Sequence, residues 1–321
     1  MTLKSIAYGA LVGVGALLFT STPTAFGASL LTPYNVFVSG NFSDSNTGSG
    51  GGVGGGLAVG GAATLGGGIA IASNLLGESL TAFPSSTTFI AAGGVTRRGT
   101  LDTGNYYFTG TDNNFTNSGT GTKDASDPVN FTTSMAQFTT LSTTWSTDAA
   151  TLGDSCTTAG AVTTCTVTKA GMNIIDVADS AVASGYTVQI TGVSSADWVI
   201  INVAGATDTL SGTITIDGYA PSGNTTNAVA DDVLFNFYQA TAITLGGSVM
   251  GSVLAPTAAV TGDGGQFDGS LVAASFTRNA TNGTYFYNYY FQGGQTPEPA
   301  SVACVGVGLI ALALLTKRHL G

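Results

Sequence analysis

The chain has 321 residues, 8 Lys and Arg against 18 Asp and Glu, one His, and a formal charge of −10. A chain this acidic repels phosphate backbones, which argues against nucleic acid as a partner. With 47 Gly and only 8% charged residues, it also lacks the charge-rich composition of a disordered tail.

The N-terminus carries one basic residue, Lys4, and then an apolar run from Ile6 to Phe19. Pro23 and Gly27 break that run where a core helix would continue. Ala25-Phe26-Gly27 sets small side chains where a signal peptidase reads. Residues 1–27 therefore read as a cleavable signal peptide, cut after Gly27 or, as second choice, after Ala28. Between that segment and the C-terminal tail, Arg97, Arg98, Lys123, Lys169 and Arg278 face seventeen of the eighteen acidic residues, so residues 28–296 carry about −12.

Tyr34 to Gly40 alternates as a strand does. Gly48 to Gly56 is nearly all glycine, and the segments 56–61, 62–66 and 68–72 read as short strands between glycine turns. From Val129 to Ala149 the pattern changes: Phe131, Met135, Phe138, Leu141, Trp145 and Ala149 fall at steps of three and four, one stripe of an amphipathic helix. Asp127 is placed to cap it, Pro128 suits its first position and Gly153 ends it, so the helix is expected over about 128–152. Its other face is Thr and Ser, poor helix formers, so burial of the stripe has to hold it.

Cys156 and Cys165 close a Gly-centred turn. Outside the cytoplasm this pair is expected as a disulfide, two reduced thiols being the alternative. Strands are expected again at 187–190, 198–203 and 213–216. Val233-Leu234-Phe235-Asn236-Phe237, Gly251-Ser252-Val253-Leu254-Ala255 and Gly269-Ser270-Leu271-Val272-Ala273 recur at eighteen residues. A fixed short period of near-identical segments predicts successive turns of a β-solenoid. The fold class is thus mainly β, a solenoid with one long helix packed along it; a β-sandwich is the alternative.

At the C-terminus, Thr296-Pro297-Glu298-Pro299 precedes an apolar run, and Lys317, Arg318 and His319 follow it. A helix over 300–315 would span about 24 Å, short for a hydrocarbon core of about 30 Å. Lys317 and Arg318 favour a cytoplasmic end. This order of Pro297, Glu298 and Pro299, one span and a basic cluster resembles the PEP-CTERM sorting signal, with Thr296 where that family usually has Val. The resemblance implies recognition by an exosortase in a Gram-negative bacterium that makes exopolysaccharide, and transient anchoring in the inner membrane.

Residues 34–43 and 56–61, the helix after Asp127, and the repeats at 233–237, 251–261 and 269–273 together resemble the choice-of-anchor A domain of bacterial surface proteins, over residues 28–295. The order of strands, helix and repeats also resembles the bacterial ice-binding-like fold, an analogy of fold alone.

Catalytic signatures are missing. The single His, His319, lies beyond the apolar run, so no His-based triad or general base can form in the exported region. The glycine stretch lacks a phosphate-loop ending. Asp231-Asp232 and Asp263 with Asp268 could serve calcium, but read better as turn-forming Asp. The sequence therefore predicts no cofactor, no metal and no enzyme. It predicts an exported, non-catalytic surface or matrix protein for adhesion, envelope or biofilm structure, with signal peptidase and exosortase as processing partners. The alternatives are a ligand-binding solenoid for polysaccharide or ice, through a flat Thr-bearing face, and a polysaccharide-active enzyme. A regular Thr-x-Thr array would favour ice; clustered carboxylates in a cleft would favour the enzyme.

Overall fold

The computed structural model describes residues 31–292 except 45–50, 67–68, 97–98, 111–114, 183–184, 196, 211, 223–227 and 279–283. The signal residues Gly27 and Ala28, the sorting residues Pro297, Glu298, Pro299, Lys317 and Arg318, and the expected span over 300–315 lie outside them. Among the described residues no helix is long and apolar enough to cross a membrane.

The chain winds as a solenoid whose turns stack in parallel. One sheet runs in the order 105–108, 87–91, 56–59, 34–38, 271–278, 252–262, 233–236, 198–204 and 172–178. At its corner the longest strands, Ser252–Gly262 and Leu271–Arg278, continue into a second face. There they pair with Ala242–Leu245 on one side and Phe42–Asp44 on the other. A third face carries Thr116–Asn117, Gly99–Leu101, Ile69–Ile71, Gly52–Val53, Thr284–Tyr287, Gly265–Asp268 and Val249–Met250 in that order. This is a parallel solenoid, not the β-sandwich held open as the alternative.

Eighteen residues make one turn of the solenoid along these repeats. Phe235 lies against Val253 and Val253 against Leu271. The Gly-Ser start of the last two units has a steric reason: a Cβ on Gly269 would lie 2.2 Å from the carbonyl oxygen of Gly251. Stacked backbones approach that closely only where no side chain intervenes.

Sequence order and stacking order differ. The first strand, Tyr34–Val38, pairs on one side with Gly56–Val59 and on the other with Leu271–Arg278. The N-terminal turns therefore build outward from the middle of the stack; the chain then crosses to the far end and winds back. At the seam, Phe42 stacks on Phe276 with ring centroids 5.2 Å apart. Beside them Arg278 Nη2 meets Asp44 Oδ1 at 2.6 Å, with both side chains buried.

The helix runs over Phe131–Thr147, shorter than expected at both ends. Asn130, not Asp127, caps it, accepting from the Thr133 amide at 3.0 Å; Asp127 instead accepts from the Val129 amide. A restricted residue such as Pro128 fits the turn before the cap as well as it fits a first helical position. At the other end Asp148 leaves helical geometry, so Ala149 is not on the stripe but exposed.

The stripe packs as expected at its centre. Phe138 and Trp145 are buried; Phe131, Met135 and Leu141 are partly so. Phe37 meets Phe131 and Phe138 at centroid distances of 5.0 and 5.2 Å, and Trp145 meets Phe291 edge-on at 6.2 Å. Polar rungs add to this. Asn236 donates to the Ser142 carbonyl and to Asn202 Oδ1, and accepts from the Ser142 hydroxyl. Asn202 donates to the Trp145 carbonyl and to Asp176. Asp176, Asn202 and Asn236 stand side by side in register.

Cys156 and Cys165 face each other across the antiparallel pair Ser155–Ala159 and Val162–Thr166, and their sulfurs are bonded. This hairpin extends a sheet with Thr187–Thr191 and Ile214–Ile216.

Candidate functional site: a hydroxyl row on the second face

On the second face seven strands lie in register, 95–96, 63–64, 42–44, the ends of 271–278 and 252–262, 242–245 and 207–210. Strand geometry alternates side chains between the two sides of a sheet. The inward row is Val95, Ala63, Phe42, Phe276, Val260 and Ile243, all buried, and then Asp208. The outward row is Thr96, Thr64, Ser43, Thr277, Thr261, Thr244 and Thr209. Every outward rung is a hydroxyl, and none is buried.

At about 4.8 Å between neighbouring strands, seven rungs extend over roughly 29 Å. The hydroxyls of Thr64 and Thr96 are 2.9 Å apart, close enough to bond directly. Two residues earlier, each strand carries a small or short polar residue: Gly94, Ala62, Asn41, Ser275, Ala259, Ala242 and Thr207. Only Thr207 with Thr209 makes a Thr-x-Thr pair on this row. These two rows are thus uncharged, with one hydroxyl per rung in the outward row, from Thr on six strands and Ser43 on the seventh. The six threonines are β-branched and hold few rotamers. The row offers donors and acceptors in a line, and no group fit to move a proton.

Sequence reading missed the row because its members are unevenly spaced along the chain; only stacking brings them together. The residues considered for calcium do not converge. Asp263 lies exposed in a turn, whereas Asp268 is buried and accepts from the Ser222 amide. Among the described residues no group of three or more His, Cys, Asp or Glu could hold a metal. Asp231 and Asp232 adjoin each other near the C-terminal strand. Burial, and for Asp231 the neighbouring Asp232 charge, push the two carboxyls up to about 7. For Asp232 the second cause is the charge of Asp197.

The helix, by contrast, turns Thr132, Thr133, Ala136, Gln137, Thr140 and Thr144 to solvent. Five of its threonines, at 139, 140, 143, 144 and 147, bond back to carbonyls four residues earlier. Those hydroxyls are spent within the helix, unlike the row on the second face.

No curated protein matches this chain. Among solved structures it is similar to an ice-binding protein from an Antarctic biological consortium, at 17% identity and a TM-score of 0.33, over 63% of this chain and 88% of that one. It is also similar to an ice-binding protein from the Antarctic ascomycete Antarctomyces psychrotrophicus, at 20% identity and a TM-score of 0.32, over 64% and 96%. A family model for an ice-binding-like adhesive domain matches residues 27–286, and the chain belongs to that family.

Proposed function

We propose that this is an exported, non-catalytic adhesive protein of the cell surface or exopolysaccharide matrix, and that its second face is the adhesive surface. The observation that carries the reading is the seven-rung hydroxyl row. A long, flat line of neutral hydroxyls suits a repeating, hydroxylated partner such as a polysaccharide chain, which it can meet at many weak points at once. Membership of an adhesive-domain family supports the same reading.

Export and sorting complete the proposal. Signal peptidase cuts after Gly27 or Ala28. The tail with Pro297, Glu298, Pro299, Lys317 and Arg318 holds the chain briefly in the inner membrane of a Gram-negative cell until an exosortase processes it. The choice-of-anchor A resemblance fits a surface protein whose anchor varies.

Ice is the second reading. A regular hydroxyl row at strand spacing favours it, although small residues take most of the places that a full Thr-x-Thr array would fill. The test presents the secreted protein separately to immobilised exopolysaccharide from its producer and to a growing ice front. Retention on the polysaccharide without release of sugar is expected. Partition into ice alone would favour the second reading, and release of oligosaccharide would overturn the non-catalytic one.

A further inference from the structure

We propose that Asp208 and Asp179 form a divalent-cation site, with calcium the fitting ion, at the corner where the helix-side sheet turns into the second face. Asp208 occupies a place in the inward row that is apolar on the six other strands. It is only 3% exposed, and neither of its carboxylate oxygens has a hydrogen-bond partner. A buried carboxylate left alone is costly, and such groups are paired or bound to metal.

The neighbouring turn of the solenoid supplies the second carboxylate. Ala178 and Ala204 are in register, which sets Asp179 beside Gly205. A Cβ on Gly205 would lie 2.9 Å from Asp208 Oδ1 and 3.3 Å from Asp179 Oδ2. The two oxygens therefore lie no more than about 6 Å apart, and Gly205 puts no side chain between them.

Among the described residues no cation is paired with either carboxylate; the ion pair is Asp44 with Arg278, at the seam. The strand paired with 207–210 sets Ile243 beside Asp208. Asp179 is exposed and its Oδ1 accepts from the Ser180 amide, so a route from solvent exists and Oδ2 remains for a ligand. Calcium takes carboxylate oxygens and fills its shell with carbonyls and waters, which suits a site with two carboxylates.

The Asp208 carboxyl is pushed up to about 6, by burial first and then by the Asp179 charge. A carboxyl raised on folding stabilises the fold while protonated. That contribution is complete below the ordinary carboxylate range and is lost as pH rises through about 6. A bound ion would remove the penalty above that pH.

The experiment is thermal melting of the secreted chain in calcium chloride or in EGTA, at pH 7.5 and pH 4.5, with magnesium chloride as a comparison. Calcium should raise the Tm saturably at pH 7.5 and leave it unchanged at pH 4.5. Asp208→Asn should melt higher than the parent in EGTA at pH 7.5 and lose the calcium response. Calorimetric titration of the parent should give one calcium per chain, lost in the exposed variant Asp179→Asn, which guards against a folding failure of Asp208→Asn. Absence of any calcium response at pH 7.5, or a response that survives both substitutions, would overturn the site.

Discussion

The helix-side sheet and the second face are built from the same turns of chain, yet one is covered and the other is bare. Trp198–Ala204 points Asn202 at the helix, where it reaches the Trp145 carbonyl. A few residues on, Thr207–Leu210 points Thr209 at solvent. Both are short polar side chains in a register row. The difference lies in what the hydrogen bonds are for: the asparagines are consumed in docking the helix, and the hydroxyls remain to meet something outside. A polar row on a parallel sheet is therefore not diagnostic of a binding surface until its partners are counted.

Changes under the helix should have the largest effects. Trp145 is buried against Phe291, so Trp145→Ala should cost about 3–5 kcal/mol, read by denaturant unfolding. Thr140→Ala, on the exposed face, should stay within about 0.5 kcal/mol. Equal losses at both positions would remove the distinction between a covered and a bare side of the helix.

Polar docking should matter less. Asn236→Ala strips the Ser142 carbonyl and Asn202 of partners in a buried place, and should cost about 1–3 kcal/mol. An unchanged stability would mean that the Asn rungs merely fill space.

A pH effect comes next. Asp231 and Asp232 are both raised to about 7, chiefly by burial. Their folded forms favour the proton, so stability should fall as pH climbs from about 4 toward about 7 and level off above. Melting in EGTA from pH 4 to pH 8 tests this, and Asp231→Asn should flatten the slope. A melting temperature that rises over this range would contradict the assignment.

Changes on the hydroxyl row should have the smallest effect on stability. Thr244→Ala and Thr261→Ala remove half-buried hydroxyls of the row, and each should change unfolding free energy by no more than about 0.5 kcal/mol.

The solenoid was legible where a period survived in the chain. The eighteen-residue spacing at Phe235, Val253 and Leu271 announces a stacked turn, and the steps of the Phe131–Trp145 stripe announce a helix. Placing Tyr34–Val38 beside Leu271–Arg278 is a pairing across more than two hundred residues, and no local pattern carries it. The helix start was misread because Asp127-Pro128 and Asn130 are both good cap chemistry, and only packing decides between them. The hydroxyl row stayed hidden for a similar reason. Thr209 and Thr244 are thirty-five residues apart, while Thr244 and Thr261 are seventeen apart. Turns of unequal length scramble in sequence what stacking aligns in space.

The measurement that bears most directly on the central claim is the affinity of the folded protein for exopolysaccharide with the row made bulky. Thr244→Tyr combined with Thr261→Tyr places two rings on the flat face, while Thr140→Tyr does the same on the outer helix. With melting temperatures matched to the parent, the first variant should lose binding at least about tenfold, a change of about 1.4 kcal/mol, and the second should bind as the parent does. Full binding by the row variant, or loss only in the helix variant, would contradict the assignment of the second face as the adhesive surface.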